Sequence, residues 1–137
     1  MYSNAELRRV YDRTSGYCHL CGKKLSLTNY WTFGSRGAWE VDHSRARANG
    51  GTHHGNNLYP ACISCNRSKC DGLTRTARSR HGRTRAPLSR QKRSAIRSTN
   101  QTLGAAGGAI LGARFGLPGV LLGGVLGALF GESLKVE

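Results

Sequence analysis

Four cysteines in two pairs, Cys18-x-x-Cys21 and Cys62-x-x-Cys65, have the spacing that lets two thiolates of one tight knuckle reach a single metal ion. Two such knuckles complete the four ligands of a closed, structural zinc site. Between and beside them stand Asp42, His43, Asn57 and Asn66. These residue types suit metal-dependent phosphodiester hydrolysis, which needs an activated water, a cation to neutralise charge growing on the phosphate, and help for the departing oxygen. His43 is the candidate base, because an imidazole titrates near neutrality and its neutral form can take a proton from water. Asn57 could hold that imidazole through its side-chain carbonyl. Asp42 and Asn66 offer hard oxygen donors suited to Mg²⁺ or Mn²⁺.

Other groups in this stretch have plainer alternatives. Arg45, Arg67 and Lys69 are candidates for contact with a DNA backbone, or they form a solvated face. His53 and His54 could ligate a metal or touch phosphate, but histidines in a polar loop are more often simply exposed. Cys70 reads as a free thiol.

The order Asp-His, Gly-Gly, Asn-Leu and Cys-x-x-Cys-Asn-x-x-Lys, at 42–43, 50–51, 57–58 and 62–69, resembles the HNH endonucleases, specifically their zinc-stapled, endonuclease VII-like branch. The resemblance covers residues 15–72. It implies a small α+β fold, the ββα-metal (His-Me finger) core, in which a two-stranded ribbon and a helix grip a catalytic metal. It also implies a histidine base (His43), an asparagine that orients it (Asn57), and Asp42 and Asn66 as metal ligands. With Asn66 rather than histidine as the last letter of the motif, magnesium is implied over zinc at the catalytic metal. Cys70 stands where the resemblance leads one to expect glycine.

Elements must position these groups. Residues 4–13 read as a short amphipathic helix with Ser3 or Asn4 as its cap. Residues 17–25 form the first knuckle, with Gly22 at its turn. Residues 38–43 alternate as a strand carrying Asp42 and His43 at its end, 45–55 form a loop turning at Gly50-Gly51, and 57–61 return as a second strand. A helix over 63–72 then carries Asn66 and Lys69 on one face. Neighbours on a strand point to opposite faces, a difficulty for Asp42 and His43 serving one site. Trp31, Phe33 and Trp39 are expected in the core.

The chain has 137 residues, 38% of them hydrophobic, and a formal net charge of +14. So basic a chain points to a polyanion, nucleic acid or an anionic membrane surface. So small a core would draw stability from zinc, since ion binding is then folding free energy. The polar N-terminal residues carry no secretory run, and the cysteines read as ligands in a reducing, cytoplasmic setting.

Residues 73–102 carry nine arginines and lysines and read as a basic, mobile linker. In residues 103–131 glycines recur every fourth place, at Gly104, Gly108, Gly112 and Gly116 and again at Gly119, Gly123, Gly127 and Gly131. Such a period lets helix backbones approach and resembles glycine-zipper segments. This apolar block is long enough to span a membrane, or to form a helical hairpin broken near Pro118, or to drive homo-oligomers. The preceding arginines would hold the nuclease on the cytoplasmic face.

The organisation expected is therefore a nuclease domain (1–72), a basic linker (73–102) and a membrane or oligomerisation segment (103–131). The function expected is DNA hydrolysis with low sequence specificity. The rivals are a non-enzymatic zinc-stabilised DNA-binding module and a delivered antibacterial nuclease toxin.

Overall fold

The computed structural model describes residues 2–113 and 116–133. It divides into two compact units, one ending at Arg90 and one beginning at Gln91.

The first unit opens with helix α1 (Asn4–Asp12). Ser3 closes its N-terminus as a capping box, its hydroxyl accepting from Glu6 N at 3.3 Å while its own amide donates to the Glu6 carboxylate at 2.8 Å. Strands β1 (Trp39–His43) and β2 (Leu58–Cys62) pair antiparallel, with Trp39 opposite Cys62 and His43 opposite Leu58. Helix α2 (Ile63–Lys69) follows directly, and α3 (Thr74–Ser79) closes over it. The core gathers Val10, Leu20, Leu25, Leu58, Ala61 and Ala77 around the fully buried Trp39.

Several boundaries differ from expectation. The second strand starts at Leu58 because Gly55–Asn57 form a 3₁₀ turn. Helix α2 stops at Lys69 because Cys70 has a φ of 49° and a ψ of −122°, outside helical space. Trp31 and Phe33 are not core residues: they are 56% and 50% exposed. The Trp39 ring already fills the space beneath the ribbon, packed by Tyr11 and Tyr30 at centroid distances of 5.6 and 5.1 Å.

The first half of the basic stretch is not a mobile linker. Helix α3 buries Ala77, Arg78 Nε donates to the His19 carbonyl at 2.9 Å, and Arg83 Nε donates to the Cys21 carbonyl at 3.2 Å. Residues beyond 72 are thereby fastened to the first knuckle.

The described residues of the second unit lie mainly in α4 (Arg90–Gly112), whose first residue belongs to the first unit, and α5 (Gly116–Ser133). They touch backbone to backbone at glycines: a Cβ on Gly108 would lie 1.8 Å from the Gly123 carbonyl oxygen, and one on Gly127 would lie 1.9 Å from that of Gly104. Only glycine permits that approach. Pro118 stands in the first turn of α5, where a missing amide hydrogen breaks no helical bond. Among the described residues no helix is long and apolar enough to cross a membrane.

Candidate active site and metal centre

The sulfurs of Cys18, Cys21, Cys62 and Cys65 lie within 4.8 Å of one another, with 3.7 Å between Cys21 and Cys62. Tetrahedral zinc with bonds of about 2.3 Å needs sulfurs about 3.8 Å apart, so the four residues fit that ion. Backbone bonds shape the site. Gly22, at a φ of 75°, donates to the Cys18 carbonyl at 2.9 Å, and His19 N donates to Pro60 O on β2 at 2.9 Å, drawing the two knuckles together.

Sulfurs this close cannot all ionise without a cation. Hydrogen bonds to Cys21 and then Cys62 push the Cys18 thiol far up, bonds from Cys18 and Cys21 hold Cys62 far down, and burial pushes Cys65 up to about 12. A bound zinc would keep all four as thiolates and staple the knuckles. His81, just past α3, brings Nε2 to 3.5 Å from Cys65 Sγ.

Asp42 and His43 diverge as strand geometry dictates. Asp42 faces inward, 3% exposed, with both carboxylate oxygens occupied: Oδ1 by the Lys69 ammonium at 2.9 Å and Oδ2 by His19 Nε2 at 2.6 Å. The tautomer of His19 follows from Arg78, whose Nη2 lies 3.1 Å from Nδ1. A guanidinium only donates, so Nδ1 accepts and Nε2–H donates to Asp42. Burial holds the His19 pKa below 6.5 despite the opposing pull of Asp42, in keeping with a neutral ring.

Two expectations change accordingly. Asp42 as arranged is not open to a divalent cation, because it is sealed from solvent and an ammonium already sits on one oxygen. Lys69 is not a DNA contact: it is 4% exposed and spends its ammonium on Asp42 and on the His43 carbonyl, 2.9 Å away. Asn66 lies one turn earlier on α2, half-buried.

His43 lies on the outer side of β1, half-buried, with its Nε2 3.2 Å from His53 Nδ1. Tyr2 stacks on His53 at 5.2 Å and 14°. Burial first, then His53, and also Arg47, lower the His43 pKa from 6.5, while Asp42 works the other way.

Asn57 does not hold the imidazole. Its Oδ1 accepts from Arg45 N at 2.8 Å, and its Nδ2 donates to the carbonyls of Arg45 at 3.0 Å and Thr52 at 2.8 Å. It closes the loop and so sets the backbone that carries His53 to His43. The Gly50-Gly51 turn is equally tight, since a Cβ on Gly51 would lie 1.9 Å from Arg45 O. Within this loop Arg45 Nε donates to Asn49 O at 2.6 Å, and His54 Nδ1 accepts from Asn56 N at 3.4 Å, which leaves His53 as the histidine at the site. Arg67 is exposed on α2 with its guanidinium 4.5 Å from the centre of the Phe33 ring.

Two residues of the site, His19 and Arg47, escaped the sequence, and His53 was weighed there as a metal or phosphate contact rather than as the partner of His43. Only the doubled histidine at 53–54 carried a signal, and only the loop geometry says which of the two faces His43.

Residues 18–72 match the family model described as HNH endonuclease. No curated protein and no solved structure matches the chain. The matched stretch holds all four cysteines, the β1–β2 ribbon and α2, and it ends before α3. These residues carry a potential zinc site in a small α+β fold.

Proposed function

We propose that the protein is an endonuclease that hydrolyses DNA phosphodiester bonds with little sequence preference, His43 serving as the general base. The observation that carries this reading is the His43 environment within the HNH-matched segment. Its imidazole is held neutral by burial and cationic neighbours, and one ring nitrogen is engaged by His53.

The pair works in one sense. When His43 Nε2–H donates to His53 Nδ1, the other nitrogen of His43 carries the lone pair and takes a proton from water attacking the phosphate. Asn57 keeps the loop shut so that this pairing persists. Arg47, close enough to depress the His43 pKa, supplies positive charge beside the phosphate, and Arg45 lies in the same loop.

HNH nucleases generally use divalent metals. Of the donors expected here, the Asn66 side chain is a hard oxygen donor on α2, whereas Asp42 does not fit the role while Lys69 and His19 hold it. The base and positioning roles above therefore belong to side chains alone. The sealed Asp42 is also what favours the rival reading, a zinc-stabilised module that binds DNA without cutting it.

Incubation of the zinc-loaded full-length protein with supercoiled plasmid, with Mg²⁺ or Mn²⁺ added or withheld, separates the two. Conversion to open-circular and linear forms is expected. A mobility shift with the plasmid left supercoiled under every condition would replace the nuclease with the binding module.

A further inference from the structure

Away from His43, at the Trp39 end of β1, the loop of residues 30–38 holds two large rings out in solvent. Trp31 and Phe33 are 56% and 50% exposed and meet edge to face, their centroids 5.5 Å apart and their planes at 90°. The loop is firmly built. Trp31 N donates to Trp39 O at 2.9 Å, Ser26 N donates to Gly37 O at 2.9 Å, and the Asn29 side chain donates to Arg36 O at 2.9 Å.

Trp31 itself adopts a φ of 58°, a backbone conformation that bulky residues rarely accept. Strain of that kind persists where the surrounding structure enforces it, and here it keeps a ring exposed that hydrophobicity alone would bury.

The charges around the pair identify its partner. Arg67 lies over the Phe33 ring at 4.5 Å, Lys23 lines the groove of about 390 Å³ that Phe33 also borders, and Arg36 is exposed in the loop itself. Glu40, 3.7 Å from Arg67, is 7% exposed and turned away from solvent. Exposed rings flanked by cations suit bases and phosphates, and base stacking on aromatic rings requires bases that are not already stacked in a duplex.

We propose that Trp31 and Phe33 form a stacking platform for unpaired bases, with Arg67, Arg36 and Lys23 contacting the flanking phosphates. The preferred substrate is then DNA with a single-stranded stretch beside the cut. Four residue steps of β1 separate Trp39 from His43, roughly 13 Å along the strand. A base on the platform therefore lies some way from the bond that His43 addresses. This deepens the nuclease reading and rests on it for the word cut, but the binding itself does not.

Zinc-loaded full-length protein, without added Mg²⁺ or Mn²⁺, would be titrated with oligothymidylate while tryptophan fluorescence is recorded. The chain has two tryptophans and Trp39 is fully buried, so a change in emission reports Trp31. Quenching on binding is expected. Trp31→Ala should abolish the quench and weaken binding about ten- to a hundredfold, while Trp31→Phe keeps most of the affinity. A fully paired hairpin of the same length should bind without quenching and be indifferent to Trp31→Ala.

Zinc content equal to wild type would show that Trp31→Ala folds. Oligothymidylate affinities within twofold for wild type and Trp31→Ala, or binding without a quench, would remove the platform and turn the pair toward a protein partner. Plasmid nicking by wild type alongside that result would leave the nuclease standing. A quench, with no nicking of plasmid when Mg²⁺ or Mn²⁺ is then added, would leave the platform and remove the nuclease.

Discussion

Replacing Lys69 by methionine isolates the buried ion pair that keeps Asp42 from solvent. The side chains of Lys69 and Asp42 are 1% and 4% exposed and their charges are 2.9 Å apart, so neither water nor salt screens them appreciably. Removing one partner of such a pair costs about 3–5 kcal/mol, because the carboxylate left behind is buried and only His19 still binds it. The lost bond to the His43 carbonyl adds about 1 kcal/mol. Against a domain stability of about 5–15 kcal/mol, Lys69→Met should move the urea midpoint far down or unfold the first unit outright. Both tryptophans lie in that unit, so the fluorescence of the zinc-loaded protein follows its unfolding.

Asp42→Asn should rescue much of the loss when combined with Lys69→Met. The amide oxygen still accepts from His19 Nε2, and no buried charge is left unpaired. A coupling of about 2 kcal/mol or more is expected in the double-mutant cycle. If Lys69→Met cost less than about 1 kcal/mol, the pair would be solvated, and Asp42 would be open to a cation after all.

The acid limb of the cleavage rate should fall below pH 6.5. The neutral form of His43 is the active one, and its pKa is depressed, so activity rises with pH and levels off earlier than an ordinary histidine would allow; a limb at or above 6.5 contradicts this. His53→Ala and Asn57→Ala should each slow cleavage about tenfold or more without loss of zinc, the first by removing the partner of His43 and the second by releasing the Thr52 carbonyl. Equal single-turnover rates would leave the loop without a catalytic role. Chelation should release one zinc per chain and dissolve the tertiary structure of the first unit, read by near-ultraviolet circular dichroism; an unchanged spectrum after zinc removal would deny the ion its structural part.

The four-cysteine cluster was legible because it needs only spacing: two knuckles of fixed length bring four sulfurs together. His43 was legible in position, at the end of a strand. Asp42 was not, because its environment is made by His19, from the first knuckle, and Lys69, from the end of α2, and their convergence depends on tertiary packing. The alternation of β1 already said that Asp42 and His43 face apart, and the structure follows that rule without a bulge.

The first half of the arginine-rich stretch was read as mobile because hydropathy reports only apolar docking. Here Arg78 and Arg83 fasten it through backbone carbonyls, and a single small residue, Ala77, is buried. Trp31 and Phe33 misled in the opposite direction, since composition cannot tell that Trp39 alone fills the space under a two-stranded ribbon. The fourfold glycine period was plain, but the match of Gly108 with Gly123 and of Gly104 with Gly127 is set by how α5 folds back on α4.

The most direct test is the nicking of supercoiled plasmid by wild-type protein and by His43→Ala, matched in zinc content, with Mg²⁺ or Mn²⁺ present. Loss of the general base should slow nicking by about a hundredfold or more while DNA binding and zinc stoichiometry hold. Nicking at the wild-type rate by His43→Ala would contradict the account, because no other residue has been given the proton from water.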